Sequence, residues 1–183
     1  VTLPEAACVT VKYSAIVTGT VLRQGVPANP NSAGGTLGCS RVIATNPATF
    51  GPSFTNTSGD FTLGGLPVGT YTFRADYPGY LGSAVSGYVL TSSSPFTVFL
   101  GTTNLRGGDV NGDNGINILD IGVIISKWGQ TKVAARSAFW PDCSHVDEVA
   151  DINDDGSINV GDLAIAAGNW GSVGPTNWTT VWP

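Results

Sequence analysis

Asp109, Asn111, Asp113, Asn117 and Asp120 stand at positions 1, 3, 5, 9 and 12 of the stretch DVNGDNGINILD. Forty-two residues later Asp151, Asn153, Asp155, Asn159 and Asp162 occupy the same positions of DINDDGSINVGD. Hard divalent cations take about six to eight oxygen ligands, and a twelve-residue loop supplies them from side chains at 1, 3, 5 and 12, a carbonyl at 7 and a water held by 9. In the first loop the direct ligands are then Asp109, Asn111, Asp113 and Asp120, with the Gly115 carbonyl and a water on Asn117. The second loop assigns Asp151, Asn153, Asp155 and Asp162, the Ser157 carbonyl and a water on Asn159. The expectation is two calcium ions, one per loop. Asx turns on a solvated loop are the plain alternative for such residues, but two full matches in register favour ligation. Position 8 is Ile116 or Ile158, which suits a short apolar pairing of the two loops. Position 6 calls for Gly at a sharp turn, and the first loop has Asn114 there. Asn tolerates positive φ better than other residues with a side chain, so the first site is expected to be the weaker.

Each loop runs into an apolar helix. Ile121, Ile124, Ile125 and Trp128 recur at helical spacing, as do Leu163, Ala166, Ala167 and Trp170, and Gly129 and Gly171 supply left-handed caps. Ile121, Ile124, Leu163 and the tryptophans are expected to face the core. That leaves Ile118, Leu119 and Val160, at positions 10 and 11, as surplus apolar surface for a protein partner. Upstream the period is two. In CVTVKYSAIVTGTVL, Val9, Val11, Tyr13, Ala15 and Val17 fall on one side, and further strand-like runs cover residues 40–45, 59–66, 69–77, 86–90 and 95–101. Short strands separated by Gly, Pro, Asn and Ser predict a β-sandwich. The chain therefore reads as two domains, residues 1–104 all-β and residues 105–183 a small α module with two calcium loops, the period changing after GTTNLRGG.

Only 11% of the 183 residues are charged, with a net charge of -5 and no basic cluster, which excludes nucleic acid as a partner. No apolar run approaches the roughly 18 residues of a membrane span. Methionine is absent even at the first position, which accords with a cleaved export signal and a secreted, prokaryotic cell-surface setting. Among the cysteines Cys8, Cys39 and Cys143, a Cys8–Cys39 disulfide is favoured, because both lie in one half at the edges of strand-like runs; three free thiols are the alternative. Catalysis has little to use: His145 is the single histidine, and no nucleophile or metalloprotease motif occurs. The reading is a non-enzyme.

Two resemblances sharpen this. TSGDFTLGGLPVGTYTFRADYPGYL, through Gly59, Phe61, Leu66, Pro67, Gly69, Tyr71, Pro78, Gly79 and Tyr80, resembles the carboxypeptidase regulatory-like domains, related to transthyretin and to collagen-adhesin B-type repeats. That family implies a Greek-key sandwich of about seven strands acting as spacer or docking surface. Some collagen-adhesin relatives form a Lys-to-Asn amide, for which Lys12 is the only upstream candidate; the expected catalytic Glu and acceptor Asn have no counterparts here, and a solvated lysine is the simpler reading. The duplicated loop and exiting helix, at residues 107–129 and 149–171, resembles the dockerin module, an EF-hand-like unit lacking the entering helix. Dockerins imply a cohesin partner. The long connector from residue 130 to 150 and the apolar positions 10 and 11 depart from the common dockerin pattern.

The function expected from the sequence is a calcium-stabilised assembly module whose partner is protein. Its main form is a structural subunit of an extracellular fibre or surface layer, because two calcium ions would bring the charge from -5 to -5 + 4 = -1, near neutrality. The alternative is an adaptor that plugs into a cohesin on a cellulosome-type scaffold. In the tail, Trp178 and Trp182 are read first as packing, then as interface, and last as a carbohydrate platform. Asn56 and Asn177 begin glycosylation sequons.

Overall fold

The alternation in AIVTGTVLR becomes strand β1 (Ala15–Arg23), whose even spacing turns Ala15, Val17, Val21 and Arg23 inward. In this computed structural model, residues 13–27, 37–131, 143 and 149–178 are described. The other strands are β2 (Arg41–Asn46), β3 (Ala48–Phe54), β4 (Asp60–Leu66), β5 (Gly69–Asp76), β6 (Gly79–Leu81), β7 (Ser83–Leu90), β8 (Thr97–Asp109) and β9 (Thr176–Asn177). They form two sheets, ordered β4-β1-β8-β6 and β3-β2-β5-β7-β9. Neighbours are antiparallel except β1 with β8 and β7 with β9. The fold is a β-sandwich, with nine strands among the described residues where about seven were expected.

Between the sheets Phe50, Tyr71, Phe73 and Tyr88 form a run of ring contacts with centroids 5.6 to 5.8 Å apart. Val17, Val42, Ala44, Leu63, Leu100 and Leu105 close around them. Each large side chain buried there contributes about 1.5–3 kcal/mol. The Arg23 guanidinium, also inside, stacks 3.9 Å over the Tyr77 ring.

Two helices follow, α1 (Ile118–Ser126) and α2 (Val160–Gly168). The stretch GTTNLRGG, after which the period changes, is strand. β8 continues through it to Asp109, burying Thr103, Leu105 and Asp109. Its glycines serve packing as well as turning. A methyl group on Gly107 would lie 2.4 Å from Ile152 Cγ2 and 2.9 Å from Ile165 Cγ2, and one on Gly108 2.9 Å from the Ala166 backbone. The second loop and α2 thus sit directly on β8. Gly107→Ala is accordingly expected to lower stability by about 1–3 kcal/mol through overpacking. Ordinary strand preference would instead give a gain of about 0.5–1 kcal/mol, so the direction of shift in the urea midpoint decides between them.

Two expectations need correction. The disulfide is Cys39–Cys143, with Cα atoms 5.3 Å apart; strand-edge reasoning paired cysteines by sequence neighbourhood, whereas the partner of Cys39, in the turn before β2, lies 104 residues away. Trp128 and Trp170 are 50% and 55% exposed and do not face the core; each stands two residues past the end of its helix, so helical spacing no longer sets its direction. Trp178 is buried as packing, the first of its expected readings, edge-on to Phe61 at 5.9 Å within the sandwich, where β9 pairs with β7. Cys8, Lys12, His145 and Trp182 lie outside the described residues. Among the described residues no helix is long and apolar enough to cross a membrane.

Candidate metal centre

β8 delivers Asp109 as the first residue of the first loop, while the second loop opens after a turn at residues 149 and 150. From there the two loops share most of their hydrogen bonds. At position 12, Asp120 accepts from the Val110 and Asn111 N–H groups at 2.8 and 3.1 Å through Oδ1, and from Asn117 N–H at 2.8 Å through Oδ2. Asp162 accepts in the same way from Ile152, Asn153 and Asn159 at 2.6, 3.1 and 2.9 Å. Both carboxylates are fully buried. Each closes its loop by binding its start to its end.

At position 9, Asn117 and Asn159 are the N-caps of α1 and α2, their Oδ1 atoms accepting from Leu119 and Gly161 N–H at 2.9 and 2.7 Å. This is a capping box completed by the Asp at position 12. The spacing that suits a metal loop therefore also starts a helix. The Asn117 and Asn159 amide groups point back at the carbonyls of Gly115 and Ser157, at 3.5 and 3.2 Å. At positions 3 and 5, Asn111 and Asn153 accept from Asp113 and Asp155 N–H at 2.9 and 3.0 Å, and those aspartates accept from Gly115 and Ser157 N–H at 3.0 and 2.9 Å. At position 1, Asp109 and Asp151 accept from Asn114 and Gly156 N–H at 3.2 and 3.0 Å. Positions 4 and 6 take left-handed backbone in both loops: Gly112 and Asp154 at φ 74° and 57°, Asn114 and Gly156 at 69° and 91°. Asn114 adopts the turn that its position demands.

The donors in each loop are a mixture of carboxylate, amide and carbonyl oxygens. Among the described residues no group of three or more His, Cys, Asp or Glu side chains gathers by itself as a metal site. One atom tests the fit to a cation. Asp109 Oδ1 is buried without a hydrogen-bond partner, an arrangement that costs the full desolvation of a charged acceptor. A hard cation in the first loop would satisfy it. Burial, and then the neighbouring charge of Asp120, hold the Asp109 carboxyl above the usual carboxylate range. Burial also raises Asp162, against hydrogen bonds from Asn159 and Asn153 that lower it.

The expected pairing of Ile116 with Ile158 takes another form. Ile116 exchanges backbone hydrogen bonds with Gly171 and Ser172, just past α2, at 2.9 Å each; Ile158 does the same with Gly129 and Gln130, just past α1. Each loop is thus bound to the far end of the other unit's helix, with both isoleucines buried. Residues from the sandwich join in, unmarked by any loop pattern. The Tyr80 hydroxyl donates to the Ile152 carbonyl at position 2 of the second loop. The Asn169 amide, past α2, donates to Gln24 Oε1 at 2.5 Å and to the Gly107 carbonyl at 2.7 Å. Ile118, Leu119 and Val160 are 64%, 61% and 68% exposed, as the surplus of apolar residues predicts.

Two solved structures share the fold. A chain in the crystal structure of an N-terminal interface mutant of the type II Cohesin-X-Dockerin complex from Acetivibrio cellulolyticus is similar at 23% identity and TM-score 0.63, over 87% of this chain and 97% of that one. The C-terminal interface mutant of that complex is similar at 22% identity and TM-score 0.66, with the same coverage. At this identity the likeness establishes the fold. No family profile matches the chain, and no curated protein matches it.

Proposed function

We propose that this chain is a secreted, non-catalytic protein–protein docking module, with residues 1–104 as a supporting sandwich and residues 105–183 as a calcium-loaded, dockerin-like unit that binds a cohesin. The observation that carries this reading is the extent of the fold likeness: it spans sandwich and paired loops together, and covers nearly the whole of a chain from a Cohesin-X-Dockerin complex. Bound calcium would neutralise the buried loop carboxylates and hold the oxygens of residues 109–120 and 151–162 together. The chain's own residues do the rest. Asp120 and Asp162 close the loops, Asn117 and Asn159 start the helices, and Ile118, Leu119 and Val160 present apolar surface at the helix starts. Few charges are available for steering, so the partner surface is expected to be apolar at its centre.

Self-association into a fibre or surface layer is the second reading, favoured by Phe96 and Phe99, which stand exposed on and beside β8. One experiment separates the two. Calcium-loaded protein titrated with a type II cohesin is expected to bind at micromolar or tighter affinity and to lose about tenfold or more in Leu119→Asp. Light scattering on the same sample should report a monomer. A monomer that ignores cohesins would defeat both readings, and filaments without cohesin binding would establish the second.

A further inference from the structure

We infer that Asn114 ties calcium occupancy of the first loop to the seating of residues 172–178 on the edge of the sandwich, an inference that rests on the calcium reading proposed above. The segment leaving α2 is joined to two places at once. On one side Ile116 N–H donates to the Ser172 carbonyl at 2.9 Å, Gly115 bridges Val173, and Gly174 N–H donates to the Asn114 carbonyl at 3.0 Å. On the other, Thr176 N–H donates to Gly82 at 2.8 Å and Trp178 N–H to Ala84 at 3.0 Å, while the Trp178 ring lies buried against Phe61. Residues 172–178 therefore span from loop positions 6 to 8 to β7, where β9 forms the outermost strand of the sheet.

Asn114 is the part of this strap found in one loop only. Its side-chain amide donates to the Gly174 carbonyl at 2.6 Å, and a methyl group on Gly174 would lie 2.4 Å from Asn114 Oδ1. The pair is complementary: an amide where the turn would ordinarily take Gly, facing a Gly with no room for more. At the equivalent position of the second loop, Gly156 has nothing within 4 Å of where a side chain would start. Asn114 N–H meanwhile donates to Asp109 Oδ2. The same residue thus holds the first ligand of the loop with its backbone and the strap with its side chain. Linkage makes the effect reciprocal: whatever calcium does to order the strap, the strap does to calcium affinity.

The test uses the full chain and turns on a sign. Ordinary loop chemistry says that Asn114→Gly relieves a strained turn and binds calcium at least as tightly. The strap says that it weakens the first site about tenfold, the loss expected for one good, partly buried hydrogen bond to the loop. Calcium is titrated calorimetrically into the stripped wild type, into Asn114→Gly and into Gly174→Ala, each also in an Asp155→Ala background that leaves only the first loop. Amide exchange at Thr176 and Trp178 is followed with and without calcium. Weakened first-site binding in both variants, with strap amides exchanging about tenfold faster when calcium is removed or Asn114 replaced, supports the inference. Unchanged or tighter binding in Asn114→Gly, or strap amides indifferent to calcium, overturns it. Wild type that binds no calcium overturns the calcium reading as well, and is recognised by failing before any variant is compared.

Discussion

Stripping calcium with a chelator is expected to abolish slow amide exchange across residues 109–129 and 151–171 while β1, β2 and β5 keep theirs. Calcium at about a hundredfold over its dissociation constant adds roughly 2.7 kcal/mol per site, so two sites supply about 5 kcal/mol, comparable with the whole stability of a marginal domain. Buried charge in the loops motivates this expectation. Asp109, Asp120, Asp151 and Asp162 are all buried, and Asp109 keeps an oxygen with no donor. Each helix is nine residues long, too short to persist without its loop and cap. The sandwich has its own aromatic core, so its protection should survive, except at the end of β8 that enters the first loop. Exchange that is the same with and without chelator would remove calcium from the stability of this half.

The second large effect concerns Cys39–Cys143. Replacing both residues by Ser is expected to cost about 2–4 kcal/mol, toward the upper end because the stabilisation grows with the length of chain enclosed and 104 residues separate the partners. Unfolding by urea, compared between the oxidised wild type and the double variant, measures it. A midpoint shifted by less than about 0.5 kcal/mol equivalent would mean that the bridge constrains little of the unfolded chain.

What could be read from the sequence was local. The alternation around Ala15, Val17 and Val21 marked β1, and oxygen side chains at fixed offsets marked two loops whose backbone turns at positions 4 and 6 coincide in the structure. Asn117 and Asn159 were legible as loop residues, but the same oxygens cap the helices, a second use that ligand spacing does not reveal. β3 went unread because ATFGPSF lies exposed at a sheet edge and shows no alternation. The end of β8 went unread for a different reason: NLRGG has the composition of a linker, yet its Gly107 is there to admit Ile152 and Ile165. Trp128 and Trp170 kept helical spacing and still face solvent, since period alone does not say where a helix stops touching its neighbour. Cys143 and the strap at Gly174 depend on contacts across the fold, for which no short-range pattern exists.

β8 passes from the middle of its sheet to the first loop residue as one continuous strand. A pull exerted by a partner on the loops would therefore enter the sandwich along the axis of that strand. β1 runs parallel to it on one side and β6 antiparallel on the other, and the bonds between strands lie across the direction of pull. They would be loaded together, in shear, and could not be peeled open one after another. A docked chain of this design behaves under tension as a single stiff link, where a flexible linker would have let one half swivel while the other held.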